Sequence, residues 1–449
     1  MSTVVIVGSG AGGATVAREL AGRHEVLVIE AGGPFRRFHA DVDRLGRLRP
    51  TGAFFDERLV SLLFPAMRIR RAVSVLGGTR IPIVFGATLG GSTPLTTGTA
   101  LRCDEGLRAA GIDLDAEFTE LARQLPVTTA HRERWGTVTR RLFDACEALG
   151  LSPRPLPKLG NYSRCRRCGR CILGCPYGAK WDARRLLDEA VSKGAKVFTG
   201  WTVDALERWG DRVVGVRARR GLRRRLFAAD VVVLAAGGLG TPALLERSGI
   251  DCEPRLFVDP VLCVAAPMPG AGQDREMTMP FVVQRDGCIV SPYMDWLSFF
   301  FDRRWRLPAG DIVSLMIKLA DDDRGRAGSK RIEKDLTDAD RARLAEASAL
   351  CGEILERVGA PPRVHVFGIL NAGHPGGALP VRPGPSPFHD ARLPENVWVA
   401  DASLLPESLG RPAMLTIMAM AKRVSRLIDT RCQAPHETLS AASPPATVN

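Results

Sequence analysis

The chain has 449 residues, 45% apolar and 25% charged, with a net charge of +13, the balance of a globular protein of two or three domains rather than a disordered or fibrous one. No run approaches the roughly 18 uninterrupted apolar residues of a spanning helix, and the opening MSTVVIVG enters a strand without a basic n-region or cleavage site, so a soluble, cytoplasmic protein with no transmembrane segment is expected. The positive charge comes without a recognition helix, zinc-finger spacing or aromatic RNA motif, which argues against nucleic acid as a partner.

Val4–Val7 is a β-branched run suited to a buried parallel strand. It leads into Gly8, Gly10 and Gly13, a G-x-G-x-x-G turn ahead of the helical stretch AGGATVAREL, which begins at Ala11. The first glycine makes the tight turn, the second lets backbone approach a pyrophosphate, and the third lets the helix pack on the strand. The helix N-terminus offers its free N–H groups to phosphate. A second strand, EVLVIEAGG, carries Glu30 and Ala31, with the acid 17 residues after Gly13, where it suits a ribose 2′-hydroxyl. Such an acid favours an adenosine ribose without a 2′-phosphate but does not separate FAD from NAD.

Val84–Arg102 is rich in small and hydroxyl residues, among them Gly90, Gly91, Ser92, Thr96 and Thr97. Backbone there can lie against a flat ring and further phosphate oxygens. Next comes CRRCGRCILGCPYGAK, in which Cys165, Cys168, Cys171 and Cys175 stand at spacings of two, two and three with a proline after the last. Zinc is less apt, because its thiolates usually come as two separated pairs. Disulfides are disfavoured in the cytosol, and unligated thiols stay open. The spacing fits an iron–sulfur loop best. A 4Fe-4S cluster is the first expectation, with a three-iron cluster, or closure by a distant thiol such as Cys103, left open. Arg164, Arg166, Arg167 and Arg170 would offset the cluster's negative charge.

Downstream, KVFTGWTVDALERWGDRVVGVRAR alternates as strands around a turn at Gly210–Asp211. The basic run Val216–Leu226 reads as a solvated hairpin or, less simply, a docking patch for an acidic partner. DVVVLAAGGLGTPALLERSG reads as buried strand, turn and helix closed by Gly249. PAMLTIMAMAKRVSRLI has apolar residues at helical spacing, and the polar tail 433–449 is expected to be disordered.

Four separated stretches then make the chain resemble the glucose–methanol–choline family of FAD oxidoreductases. They are IVGSGAGGATVARELA, GATLGGSTPLTTGTALR, DVVVLAAGGLGTPALLERSGI and NVWVADASLLPESLGRPAMLTIMAMAKRVSRLI. The resemblance implies an α/β (overall α+β) fold with a Rossmann-like FAD domain from discontinuous segments, 1–102, 191–255 and 390–432. A substrate domain with a mostly antiparallel sheet would take 103–160 and 256–389, and the cysteine loop 161–182. It also implies FAD contacts from Val203, Ala236, Gly237, Asp401, Ala402, Pro412 and Met414.

Removing a hydride from a carbinol carbon requires that the hydroxyl proton be taken as well. NAGHPGGALP is similar to the His-Pro-Gly motif of the cholesterol oxidase branch, which implies His374 as base. Asn371 precedes it within reach of substrate or ring. Where family members often carry asparagine or histidine before a proline, this chain has Arg411. Arginine is no base near neutral pH, but it suits an alkoxide, an anionic flavin or a substrate carboxylate, which points weakly to an acidic substrate.

The expectation is an FAD-dependent dehydrogenase acting on the hydroxyl of a small molecule and passing electrons through the cluster to an external acceptor, a protein or quinone-like carrier. Alternatives are an oxygen-using oxidase without a cluster, a flavin-dependent isomerase or reductase, and a non-catalytic electron-transfer subunit.

Overall fold

Val4–Val7 present apolar side chains to both faces and are at most 5% exposed, so their strand needs cover on both sides. The computed structural model, which describes residues 1–38, 45–46, 62, 64–76 and 80–433, supplies it. Thr3–Val7 is the centre of a five-stranded parallel sheet. Its neighbours are Glu25–Glu30 and then Lys196–Thr199 on one side, and Val231–Leu234 and then Val397–Val399 on the other. The strands thus come from four widely separated parts of the chain. The helix Ala11–Leu20 packs on this sheet and against the helices Arg184–Ser192 and Met414–Gln433. A three-stranded antiparallel sheet, Thr202–Trp209, Arg212–Arg220 and Arg223–Ala228, also packs on it.

The basic run forms the outer hairpin of that second sheet. Arg217 pairs with Glu207 and Arg219 with Asp204, while Arg225 lies over the rings of Phe198 and Phe227. The turn expected between Thr202–Trp209 and Arg212–Arg220 falls at Gly210, and that of the outer hairpin at Gly221; both have φ of +59°, which suits glycine.

The rest of the chain builds an eleven-stranded, mostly antiparallel sheet. Its central strands are Pro260–Pro267 and Ile312–Leu319, backed by the helix Asp338–Arg357. Every residue of Ile312–Leu319 is buried. The short strand Asn371–Ala372 joins Pro260–Pro267 to Arg80–Gly86, and so sets the segment after it beside the parallel sheet. The mixed fold is the expected one. Gln433 ends the last helix, and the tail 434–449 lies outside the described residues. Among the described residues no helix is long and apolar enough to cross a membrane.

Candidate active site

The turn after the first strand is closed by backbone on its sheet side. A Cβ added at Gly8, whose φ is +104°, would lie 2.3 Å from the Ala235 carbonyl oxygen. At Gly12 it would lie 1.6 Å from the Ala400 oxygen, and at Gly13 2.1 Å from the Gly8 oxygen. Gly10 differs: the nearest atom, Gly91 Cα, is 4.0 Å away. The turn is therefore open where a pyrophosphate would approach and packed elsewhere, beside the helix N-terminus at Ala11. These residues fit the ADP half of FAD.

Glu30 ties this turn to the second strand. Its buried carboxylate accepts from the Ser9 N–H (3.0 Å), the Ser9 hydroxyl (2.6 Å) and the Gly32 N–H (2.7 Å). Burial nonetheless pushes its carboxyl above the usual range. Ala31 beyond it is exposed. Ser9 Oγ also accepts from the Gly90 N–H at 3.0 Å, and a Cβ at Gly91 would lie 2.7 Å from Gly10 Cα. The second glycine-rich loop thus lies directly on the first turn.

Two buried lysines hold that loop. Lys180 Nζ donates to the carbonyls of Thr93 (3.1 Å) and Pro94 (2.7 Å). Lys158 Nζ donates to those of Thr97 (2.9 Å) and Thr278 (3.0 Å). Burial pushes both amines down to about 8. Within the loop, Ser92 Oγ accepts from the Gly86 N–H, Thr96 Oγ1 donates to the Thr93 carbonyl, and Thr97 Oγ1 meets Thr99 Oγ1.

Asp401 braces the other side. It accepts from the Gly237 N–H (2.8 Å), the Thr241 hydroxyl (2.5 Å) and the Ser403 N–H (2.8 Å), which fixes the turn at Ala236 against Ala402. A Cβ on Gly238 would meet the Pro375 oxygen at 1.9 Å, so this turn abuts the His374–Pro375 segment. Val203 is buried in the same core, its carbonyl accepting from Arg247.

Between these loops and the large sheet lies a cavity of about 280 Å3. Phe64, Trp296, Phe300, Phe301 and Met316 make much of its wall. Ser92, Thr96, Thr97, Thr99, Asn371 and His374 line it together with Pro412 and Met414, and Tyr293, Asp295 and Lys318 add polar groups from the large sheet and the segment after it. Asn371 spends one amide N–H on the Ile369 carbonyl at 2.9 Å.

His374 is held from behind. Its Nδ1 is 3.1 Å from Asp259 Oδ2, and its own N–H donates to the Val258 carbonyl. Asp259 is 1% exposed and has φ +49°, a strained setting for a non-glycine residue. The N–H groups of Val258 and Asp259 fix it by donating to Asp321. Lys318 Nζ stands 3.3 Å from Asp259 Oδ2. Ser408 Oγ is 2.5 Å from Asp259 Oδ1 and 2.8 Å from Asp321 Oδ1, and its one hydrogen serves one of them at a time. Burial opposes ionisation of Asp259, but Lys318 and the bonds from His374 and Ser408 prevail and hold it down to about 2. Burial and then Lys318 push His374 below the usual imidazole range, against the pull of Asp259.

Arg411 takes a different place from the one its sequence suggests. Its guanidinium grips Glu105 bidentately, at 2.9 and 2.7 Å. That ion pair satisfies it away from the cavity wall, so a carboxylate- or alkoxide-binding role is not what this geometry provides.

The four loop cysteines are free and partly exposed. Arg167 N–H donates to Cys165 Sγ at 3.5 Å, while burial pushes the Cys165 thiol up to about 11. Among the described residues no three His, Cys, Asp or Glu side chains are gathered to hold a metal ion. Cys103, the distant candidate, is buried beside Thr416, to whose hydroxyl oxygen its N–H donates.

Asp259, Ser408 and Lys318 escaped the reading of the sequence. Only Lys318 leaves a trace there, as a lone cation in the apolar run IVSLMIKL.

A family model described as GMC oxidoreductase matches residues 2–265. An uncharacterised GMC-type oxidoreductase of Mycobacterium tuberculosis is 30% identical, across 94% of this chain and 75% of that protein. A long-chain-alcohol oxidase of Arabidopsis thaliana is 27% identical across 55% of this chain and 34% of that protein. The crystal structure of pyridoxine 4-oxidase from Mesorbium loti is similar in fold, with a TM-score of 0.66, 20% identity, and coverage of 96% of this chain and 99% of that one.

Proposed function

The chain belongs to the GMC oxidoreductase family, and from that premise we propose that it oxidises the hydroxyl of an uncharged, largely apolar alcohol, with FAD as cofactor and His374 as base. Bound FAD supplies the hydride acceptor. The observation that carries the reading is the pairing of His374 with an ionised, buried Asp259 at the polar edge of an apolar cavity. A carboxylate accepts from Nδ1–H, so the proton of the neutral ring sits on Nδ1 and Nε2 carries the lone pair that takes a hydroxyl proton, with the Arg411 backbone beside the ring. The Phe64, Trp296 and Phe300 walls exclude water and favour an apolar substrate over an acidic one. The long-chain-alcohol relative supports the same substrate class. Gly8, Gly10, Gly13 and the Gly90–Ser92 loop would hold the cofactor. The two sheets support domain boundaries near 256 and 390, whereas Met67–Val73 and Arg80–Gly86 pair in the large sheet and interrupt the first FAD segment well before 102, and the helix Arg184–Ser192 packs on the parallel-sheet side of the boundary expected at 191.

Anaerobic mixing of the holoenzyme with primary alcohols of increasing chain length tests this. Flavin bleaching should speed up as the chain lengthens and vanish in His374→Ala, with FAD still bound. Undiminished bleaching in that variant, or faster bleaching by hydroxy acids than by apolar alcohols, would refute it.

The cysteine spacing supports a finer reading, an iron–sulfur relay to an external acceptor. As folded, however, the thiols are not gathered as a ligand set among the described residues. Iron and sulfide analysis of anaerobically purified protein decides the point. Oxygen uptake with peroxide release would mark an oxidase.

A further inference from the structure

The Cys165–Cys175 segment stands between two cavities. On its inner side, Ile172 and Leu173 belong to the wall of the apolar cavity. On its outer side is a second cavity of about 770 Å3, whose lining includes Cys168 and the arginines 141, 166, 167, 170 and 275. Trp296 belongs to both walls. Its indole N–H donates to the Gly169 carbonyl at 3.2 Å, which pins the ring to the partition.

The charge on this outer cavity is unbalanced. Its carboxylates are Asp274 and Glu276. Glu276 is buried and accepts from the Gly136 N–H (2.9 Å) and the Thr139 hydroxyl (3.2 Å), and burial pushes its carboxyl upward. Asp274 stands 4.0 Å from Arg275. Among the described residues neither Arg166 nor Arg170 has an ion-pair partner. Five guanidiniums against two engaged carboxylates leave a concave positive field, which concentrates anions. Planar guanidinium is also the side chain best matched to carboxylate and phosphate oxygens. Such a site is unremarkable on an outer surface. Here it lies behind one layer of side chains from the cavity where the substrate's electrons are released, and an aromatic ring spans that layer.

We propose that the arginine-lined cavity binds the electron acceptor, a small anionic redox molecule bearing carboxylate or phosphate groups, and that electrons cross the partition at Trp296. This rests on the reading of the chain as an FAD-dependent alcohol-oxidising enzyme, and it does not require a metal in the loop. Converting CH–OH to C=O breaks one C–H and one O–H bond and releases two electrons and two protons. The acceptor takes up both electrons, in one step or as two one-electron carriers in succession, and the protons pass to solvent or to the reduced acceptor.

Ferricyanide, a trianion of suitable size, and neutral 1,4-benzoquinone serve as probes in steady-state assays of the holoenzyme. In the double variant Arg166→Glu/Arg170→Glu the KM for ferricyanide should rise about tenfold or more, while that for benzoquinone stays within about twofold. Added salt should raise the wild-type KM for ferricyanide and barely move that of the variant. Anaerobic flavin reduction by alcohol should be the same in both proteins, since neither arginine lines the inner cavity. An unchanged ferricyanide KM overturns the proposal, as does an equal rise for both acceptors, because the effect would then not be one of charge. If alcohol fails to bleach the flavin of the unaltered enzyme, the premise falls and the proposal falls with it.

Discussion

Replacing Asp259 by asparagine removes the charge that orients His374, and the structure sets two separate costs. The first concerns stability. Lys318, 3% exposed and 3.3 Å from the Asp259 carboxylate, would keep a buried ammonium without its counter-charge, a loss of about 3–5 kcal/mol. The second concerns rate. An amide cannot accept at both ends, and the other carboxylate oxygen already meets Ser408 at 2.5 Å and the Gly410 N–H at 3.3 Å. With the amide NH2 turned to His374, the ring proton must move to Nε2, which loses the lone pair that faces the substrate. Flavin reduction should slow by about 10²–10⁴-fold, the usual worth of a general base. The pH profile supplies a third readout. Burial and Lys318 lower the His374 pKa while Asp259 raises it. The base works when neutral, so the rate climbs with pH through that pKa, already below the ordinary value of about 6.5. Without the carboxylate only the hydrogen bond with the Arg411 backbone still opposes the lowering influences, and the acid limb should move to lower pH. Anaerobic stopped-flow reduction by a medium-chain alcohol, from about pH 5 to about pH 9, measures all of this. Asp259→Asn/Lys318→Met should recover stability while staying slow. If the double variant recovers the rate along with the stability, or if Asp259→Asn keeps the wild-type rate and limb, the orienting role is wrong.

Gly12→Ala would place a methyl 1.6 Å from the Ala400 oxygen, where both partners are backbone. It should cost at least about 3 kcal/mol and release FAD at lower temperature. Gly33→Ala, which meets nothing within 4 Å, should leave the flavin-release temperature unchanged. Lys180, pushed down to about 8 in the fold, titrates near 10.4 in an unfolded chain. Between those values the unfolded chain holds more protons, so folding gains stability as pH rises. Relative to Lys180→Met, the wild-type protein should therefore gain about 1 kcal/mol in unfolding free energy from about pH 7 to about pH 9, as read by urea titration at each pH. A flat difference would show that Lys180 keeps an ordinary pKa.

The parts of this fold that depend on neighbours in sequence were legible. Val4–Val7, the glycine turn and Glu30 form one local unit, and their spacing alone specifies strand, turn and helix. The hairpin at Gly210 is equally local. What the sequence hides is set by contacts between remote segments. Arg411 sits next to Pro412 in a stretch that suggests chemistry, but its fate is decided by Glu105, 306 positions away. His374 could be singled out by its motif. Its support from Asp259, 115 positions earlier, and from Ser408 could not, because no local pattern marks a residue whose role is to stand behind another. The cysteine spacing shows what the loop could wrap, whereas the placement of its thiols depends on Trp296 and the walls on either side.

The parallel sheet also has a consequence for how the protein is made. Its edge strand Val397–Val399 and the helix Met414–Gln433, which covers Ala11–Leu20, are among the last described parts of the chain to leave a ribosome. At roughly 5–20 residues per second, the first glycine turn emerges about 20–80 s before the helix that packs against it. During that interval Ala11–Leu20 gains Arg184–Ser192 on one side but lacks its larger helical partner, and Val231–Leu234 lacks its edge neighbour. The cradle for the cofactor is therefore finished late in synthesis, and a chain that stalls before Val397 would leave the edge of Val231–Leu234 open to aggregation rather than leave a smaller working enzyme.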